Sequence, residues 1–168
     1  MHRARVITCS DAAAAGERED RSGPALRELL AAEGYHVDAA VIVADTIEFI
    51  ATAIIDATND GNRLVVTTGG TGIAPRDVTP EATLRVCEKV IPGFGELMRA
   101  ASVQHTPTAA LSRAQAATRG AALVVNLPGS ERGAVENLRA VLHLIPHALD
   151  LLEGKTEHAS SSRSRSPH

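Results

Sequence analysis

Aromatic residues are nearly missing from this chain: no tryptophan, one tyrosine and two phenylalanines in 168 residues. Proteins that stack single-stranded nucleic acid need aromatic faces. A net charge of −3 also removes the basic surface that a nucleic-acid partner requires, so no nucleic-acid partner is expected. Cysteine is scarce. Cys9 and Cys87 alone are too few for a disulfide framework or a zinc site, and their apolar neighbours predict buried free thiols in a reducing compartment. No apolar run approaches the roughly 18 residues of a membrane-spanning helix. The start, MHRAR, leads straight into Val6-Ile7-Thr8 with no apolar signal region. A cytoplasmic chain without a membrane partner is therefore expected. No lysine stands near the glycine-rich stretches, and there is no Walker A loop, no GxGxxG spacing and no GxSxG elbow. The seven histidines are scattered; His143 and His147 lie one turn apart, but Pro146 intervenes and they read as surface residues.

What is present is aliphatic. Hydrophobic residues make up 44% of the chain, enough for one domain with a sizeable core. Arg5 to Cys9 reads as a first strand. Ala25 to Glu33 reads as a helix, with Ser22 as its N-cap and Gly34 closing it. His36 to Ala44 reads as a second strand. Asp45 and Glu48 have capping-box spacing ahead of a helix striped by Ile47, Ile50, Ile54 and Ile55. The β-branched run Leu64 to Thr68 predicts a buried strand. A helix from Pro80 to about Lys89 follows, with Thr79 as N-cap, then a helix over Phe94 to Val103. Ala114–Thr118 and Ala121–Leu127 predict a hairpin. Ser130 caps a helix reaching about His143, and Pro146 starts a last one up to Gly154. The expected organisation is a domain over 1–154 and a polar, low-complexity tail over 155–168 containing SSSRSRSP. Strands alternating with helices predict an α/β fold with a doubly wound, mostly parallel sheet, to which the hairpin is an addition.

The centre of the chain is LVVTTGGTGIAPRDVTPEAT, Leu64 to Thr83. Strand, glycine loop and helix start present backbone N–H groups to an anion. Arg76 adds a cation with bidentate geometry, and Asp77 a carboxylate suited to magnesium. The same residues also fit a ligand-free turn with a surface Arg–Asp pair. Four segments carry polar or glycine chemistry just after a strand: Ser10-Asp11, Asp45, Thr68 to Asp77, and Asn126 to Ser130. In a doubly wound sheet these meet at the carboxyl edge, where ligands bind. The residues unaided point to a phosphorylated ligand with a divalent cation and do not name the substrate.

TTGGTGIAPRDVTPEAT, GFGELMR, LSRAQAATRG and VVNLPGS, in this order, resemble the molybdopterin-binding Mog/MoaB family over about Val6 to Leu152. The resemblance implies a three-layer α/β domain, commonly a homotrimer. It implies magnesium-dependent transfer of AMP from ATP to molybdopterin, releasing pyrophosphate, with the product handed to a molybdotransferase in molybdenum cofactor biosynthesis. The alternative is a molybdopterin-binding paralogue without adenylyltransferase activity. Carried over by motif, Asp45 and Asp77 are the magnesium and catalytic carboxylates. Thr68, Gly69, Gly70, Thr71, Gly72 and Arg76 belong to the phosphate-binding loop, and Ser10 and Asp11 to the first loop. Ser112, Asn126, Pro128, Gly129 and Ser130 match the pterin side. The chain departs from the pattern at Ala12, where arginine is frequent, and at Ala44, where proline often precedes the aspartate.

Overall fold

Every residue of the central strand β4 (Leu64–Thr68) is buried, as expected for a β-branched run covered on both faces. The computed structural model describes residues 1–155. The tail expected over 155–168 therefore lies, apart from Lys155, outside the described residues.

The remaining strands are β1 (Arg3–Cys9), β2 (His36–Val37), β3 (Val41–Val43), β5 (Lys89–Ile91), β6 (Gln115–Arg119) and β7 (Ala122–Leu127). The helices are α1 (Asp11–Ala14), α2 (Ser22–Ala32), α3 (Ile47–Asn59), α4 (Thr79–Val86), α5 (Pro92–Val103), α6 (Glu131–Val141) and α7 (Ile145–Leu152). The sheet runs β2-β1-β4-β7-β6-β5, with β3 also on β1. β2, β3 and β4 pair parallel to β1, and β7 parallel to β4. β6 returns antiparallel to β7 and carries β5 antiparallel at the edge. The mostly parallel sheet and its added hairpin are as the sequence predicts.

Side-chain alternation along the strands builds the layers. Leu64, Val66, Leu123 and Val125 pack with Leu26, Leu30, Met98, Leu138 and Leu149 from α2, α5, α6 and α7. Val65 and Val124 point the other way, onto Ile50 and Ile54 of α3 and Ala82 of α4. The result is three layers, helix–sheet–helix.

Two elements differ from expectation. The second strand is broken at Asp38–Ala40 into β2 and β3. The Asp38 carboxylate binds Arg3 (2.7 Å) and Arg5 (3.1 Å) on β1 and its N–H still donates to the Ala4 carbonyl (3.2 Å), so the pairing with β1 lapses only after Asp38 and resumes at Val41. The helix after the glycine loop ends at Val86, not Lys89. Cys87 is extended (φ −111°, ψ 154°), and Lys89–Ile91 adds the edge strand β5 to the hairpin. Cys9 is buried as expected, whereas Cys87 is only half-buried.

Candidate active site

The carboxyl ends of β1, β4 and β7 lie side by side. Gly69 N–H donates to the Leu127 carbonyl (3.0 Å), and the Thr68 hydroxyl to the Pro128 carbonyl (2.7 Å). A cavity of about 620 Å³ opens there, with Thr8, Ser10, Asp20, Asp45, Thr68, Gly69, Gly70, Gly129 and Ser130 in its wall. Ser130 caps α6, accepting from Gly133 N–H at 3.1 Å, so the positive end of that helix faces the cavity edge. A smaller cavity of about 230 Å³ lies next to it, lined by Ser112, Pro128, Arg99, Arg132 and again Ser130.

The glycine loop is shaped by close approach of backbone. Gly69 has φ +104°, and a Cβ there would collide with the Cys9 carbonyl oxygen. Gly70 (φ +66°) lies against Thr79 and Asp45. The N–H groups of Gly70, Thr71, Gly72 and Ile73 donate to no protein acceptor among the described residues. The carbonyls of Gly70, Thr71 and Gly72 are all taken, by Thr79 N–H, Arg113 N–H and Arg113 Nε. A run of successive backbone N–H groups without acceptors is the kind of feature that can receive an anion.

Three aspartates surround this loop. Asp11 and Asp45 exchange bonds: each carboxylate accepts the other's backbone N–H, at 2.9 and 3.0 Å. Arg76 adds two bonds to Asp11 Oδ2, at 2.6 and 2.9 Å. The bond from Arg76, then the Asp45 amide, hold the Asp11 carboxyl below the usual carboxylate range. Asp45 goes the other way. Burial pushes its carboxyl up against the pull of the Asp11 amide, and the negative charges of Asp11 and Asp77 add to the push. Asp45 Oδ1 is buried without a partner among the described residues. Asp77 Oδ2 accepts the Ala74 N–H at 3.0 Å. Asp45 and Asp77 thus flank the loop, one against Gly70 and the other against Gly72.

The expected site residues do not all reach a cavity wall. Ser10, Asp45, Thr68, Gly69, Gly70, Gly129 and Ser130 line the larger cavity, and Ser112, Pro128 and Ser130 the smaller. Asp11 and Arg76 pair on the more exposed rim, and Thr71 is buried beneath the loop. Asn126 is fully buried. Its amide donates to Thr67 (2.9 Å) and Thr83 (3.0 Å), so its side chain lies under the site rather than in it.

The structure brings further contributors to the site, of which the sequence reading placed only Asp20 near the carboxylates. Arg18 and Arg21 are the basic side chains of the larger cavity. Asp20 accepts from Thr8 Oγ1 (2.8 Å) and Gly23 N–H (3.0 Å) and so starts α2, the role expected of Ser22. Arg99 donates to the Ser112 and Ala114 carbonyls. Gly95 makes room for it, since a Cβ there would press on both the guanidinium and the Ala114 carbonyl. This gives GFGELMR a physical reason. Arg113 binds the glycine loop itself. Its spacing from that loop carries no local signal.

The profile of the family described as "Probable molybdopterin binding domain" matches residues 5–147. The molybdopterin adenylyltransferase of Helicobacter pylori (strain J99) is 45% identical over 155 residues, covering 89% of this chain and 86% of that protein. The molybdopterin adenylyltransferase of Escherichia coli K12 is 36% identical over 165 residues, covering 89% and 84%. Among solved structures, the molybdopterin biosynthesis enzyme MoaB of Thermus thermophilus superposes with a TM-score of 0.85 at 46% identity, over 92% of this chain and 98% of that one.

Proposed function

The chain belongs to the family of probable molybdopterin binding domains, and from that premise we propose that it acts in molybdenum cofactor biosynthesis as a molybdopterin adenylyltransferase, joining the AMP part of ATP to molybdopterin. Relatives bearing that activity in their names, at 36% to 45% identity over most of the chain, support the reading. The observation that carries it is the run of amides from Gly70 to Ile73 with no acceptor among the described residues, which begins at Gly70 in the wall of the cavity of about 620 Å³. Both substrates carry phosphate, and such a cradle accepts phosphate oxygens.

In the proposed reaction an oxygen of the terminal phosphate of molybdopterin attacks the α-phosphorus of ATP. A new P–O bond forms, the α–β bridging bond breaks, and pyrophosphate leaves with the electron pair. The protein's part is positioning and electrostatics. The amides of the glycine loop and the N-terminus of α6 at Ser130 hold phosphate oxygens, and Arg18 and Arg21 add positive charge at the cavity wall. Ser112, Pro128 and Gly129 stand on the pterin side. No side chain is required as a nucleophile.

Magnesium fits these residues. Asp45 presents a buried carboxylate oxygen with no partner among the described residues, and those residues hold no group of three or more His, Cys, Asp or Glu able to hold a metal. A cation here would rest on Asp45 and Asp77 and complete its shell with substrate and water oxygens, which is the habit of magnesium. When bound, it neutralises charge on the phosphates. A homotrimer, cytoplasmic location and delivery of product to a molybdotransferase complete the proposal, on the strength of the family resemblance. So does the division into a domain over 1–154 and a tail. No described helix is long and apolar enough to cross a membrane.

An anaerobic assay with molybdopterin, ATP and magnesium, reading adenylylated molybdopterin and pyrophosphate, tests the reading. Asp45→Ala and Asp77→Ala are expected to lose turnover and keep pterin binding; normal turnover in both overturns the site. Pterin binding without product in the parent protein establishes the binding paralogue instead and makes Ala12→Arg the next variant.

A further inference from the structure

We propose that Arg113 is the positioning residue that turns the glycine loop toward its ligand, through bonds to the loop's carbonyls and to Glu81, without touching the ligand. The inference rests on the adenylyltransferase reading and adds a residue to it.

The geometry is direct. Arg113 Nε donates to the Gly72 carbonyl (2.8 Å), and Nη2 to the Asp77 carbonyl (2.7 Å). Nη1 and Nη2 together grip the Glu81 carboxylate. The backbone N–H of Arg113 donates to the Thr71 carbonyl at 2.7 Å. One residue, at the start of the hairpin, thus binds Thr71, Gly72, Asp77 and the first turn of α4.

The consequence follows from the peptide plane. Carbonyl and N–H of one peptide unit point in opposite directions. Drawing the Thr71 and Gly72 carbonyls toward Arg113 turns the N–H groups of Gly72 and Ile73 away from it. Those are two of the four amides that donate to no acceptor among the described residues. The bond to the Asp77 carbonyl anchors the other end of the same loop and with it the Asp77 side chain. Glu81 neutralises the guanidinium, whose bond in return holds the Glu81 carboxyl below the usual range.

Most of the guanidinium's N–H groups are occupied by protein acceptors, which leaves it poorly suited to bind phosphate itself. It acts on the loop. A lysine at this place keeps the charge and loses the fork that spans two carbonyls and a carboxylate. The arrangement also assigns work to two motif residues: the glutamate of TPEA and the arginine of LSRAQ form one clamp.

The test compares the parent protein with Arg113→Lys, Glu81→Gln and Arg113→Ala, the last with and without added guanidinium. Each is checked by urea titration and assayed under conditions where it is folded. Arg113→Lys is expected to lower kcat and raise KM for ATP, with kcat/KM down roughly tenfold or more. Glu81→Gln should show the same pattern more weakly. Guanidinium should restore part of the turnover of Arg113→Ala. Turnover of Arg113→Lys within about twofold of the parent overturns the proposal, as does a loss that merely follows the unfolded fraction. The parent's own turnover reports on the adenylyltransferase reading. If the parent binds molybdopterin without turning over, the same variants are read by molybdopterin affinity: a loss of about tenfold in Arg113→Lys supports the positioning role, and unchanged affinity overturns it.

Discussion

Replacing Asn126 by alanine separates two roles that its place in the VVNLPGS motif leaves entangled. If its amide met the pterin, truncation would cost binding and little stability. The structure puts it elsewhere. Asn126 is 0% exposed, with Nδ2 on the hydroxyls of Thr67 and Thr83 at 2.9 and 3.0 Å. These two buried hydrogen bonds are worth about 1 kcal/mol each; a third, long one from Gln115 Nε2 to Asn126 Oδ1 (3.4 Å) adds little. Thr83 keeps its own bond to the Thr79 carbonyl (2.9 Å), but Thr67 is left with a buried hydroxyl and no replacement partner, which costs about 1–2 kcal/mol more. The expected loss is about 3 kcal/mol. For a chain of 168 residues this lowers Tm by roughly 10 °C, at about 2–4 °C per kcal/mol. Urea titration with an unchanged slope measures the loss. Molybdopterin affinity measured well below Tm should stay within about threefold of the parent. A full-strength urea midpoint together with a tenfold or greater loss of pterin affinity refutes the reasoning and moves Asn126 into the ligand site.

The other predictions concern backbone and thiols. Gly69→Ala demands a side chain at φ +104° against the Cys9 carbonyl and should cost upward of about 3 kcal/mol, read as a fallen urea midpoint and lost turnover together. Gly93→Ala, at an ordinary φ with open space around the Cβ, should stabilise by about 0.5 kcal/mol; a loss instead would show that the first turn of α5 is constrained. Burial pushes the Cys87 thiol up to about 11, so at pH 8 its thiolate fraction is about 100-fold below that of an ordinary thiol. Native alkylation should be slower by that factor and speed up as pH rises; rapid labelling at pH 8 refutes it. Cys9, buried and pushed up to about 12, should label only on unfolding.

The layers were legible because their signals are local. Val65 and Val66 alternate across the sheet as a period of two dictates, and Ser130 caps α6 through Gly133, three residues on. The convergence of Ser10-Asp11, Asp45 and the two glycine turns was legible from topology, since parallel strands deliver their carboxyl ends to one edge. The Arg113–Glu81 clamp was not, because its partners stand 32 residues apart. Edge strand β5 escaped for the same reason: three residues after a helix acquire strand character only from the hairpin they join.

Three helix-start signals failed around the site. Ser22, Asp45 and Thr79 each match a helix-start signal, and none of them caps. Asp20 holds the start of α2 while also receiving Thr8 from β1. Thr46 takes the cap of α3, accepting from Phe49 N–H at 3.3 Å, which leaves Asp45 bound to Asp11 with its other oxygen unpartnered. Thr79 gives its N–H to the Gly70 carbonyl and is buried against the loop, without a side-chain cap bond. Asp45 and Thr79, suited to serve their own helices, are turned toward the glycine loop, while Ser22 donates to Asp20 Oδ1 at 3.5 Å. A sequence satisfies its local preferences where nothing else competes, and departures collect where function does. The displaced Asp45 and Thr79 lie against Gly70 of the glycine loop, and Ser22 and Asp45 line the cavity beside it.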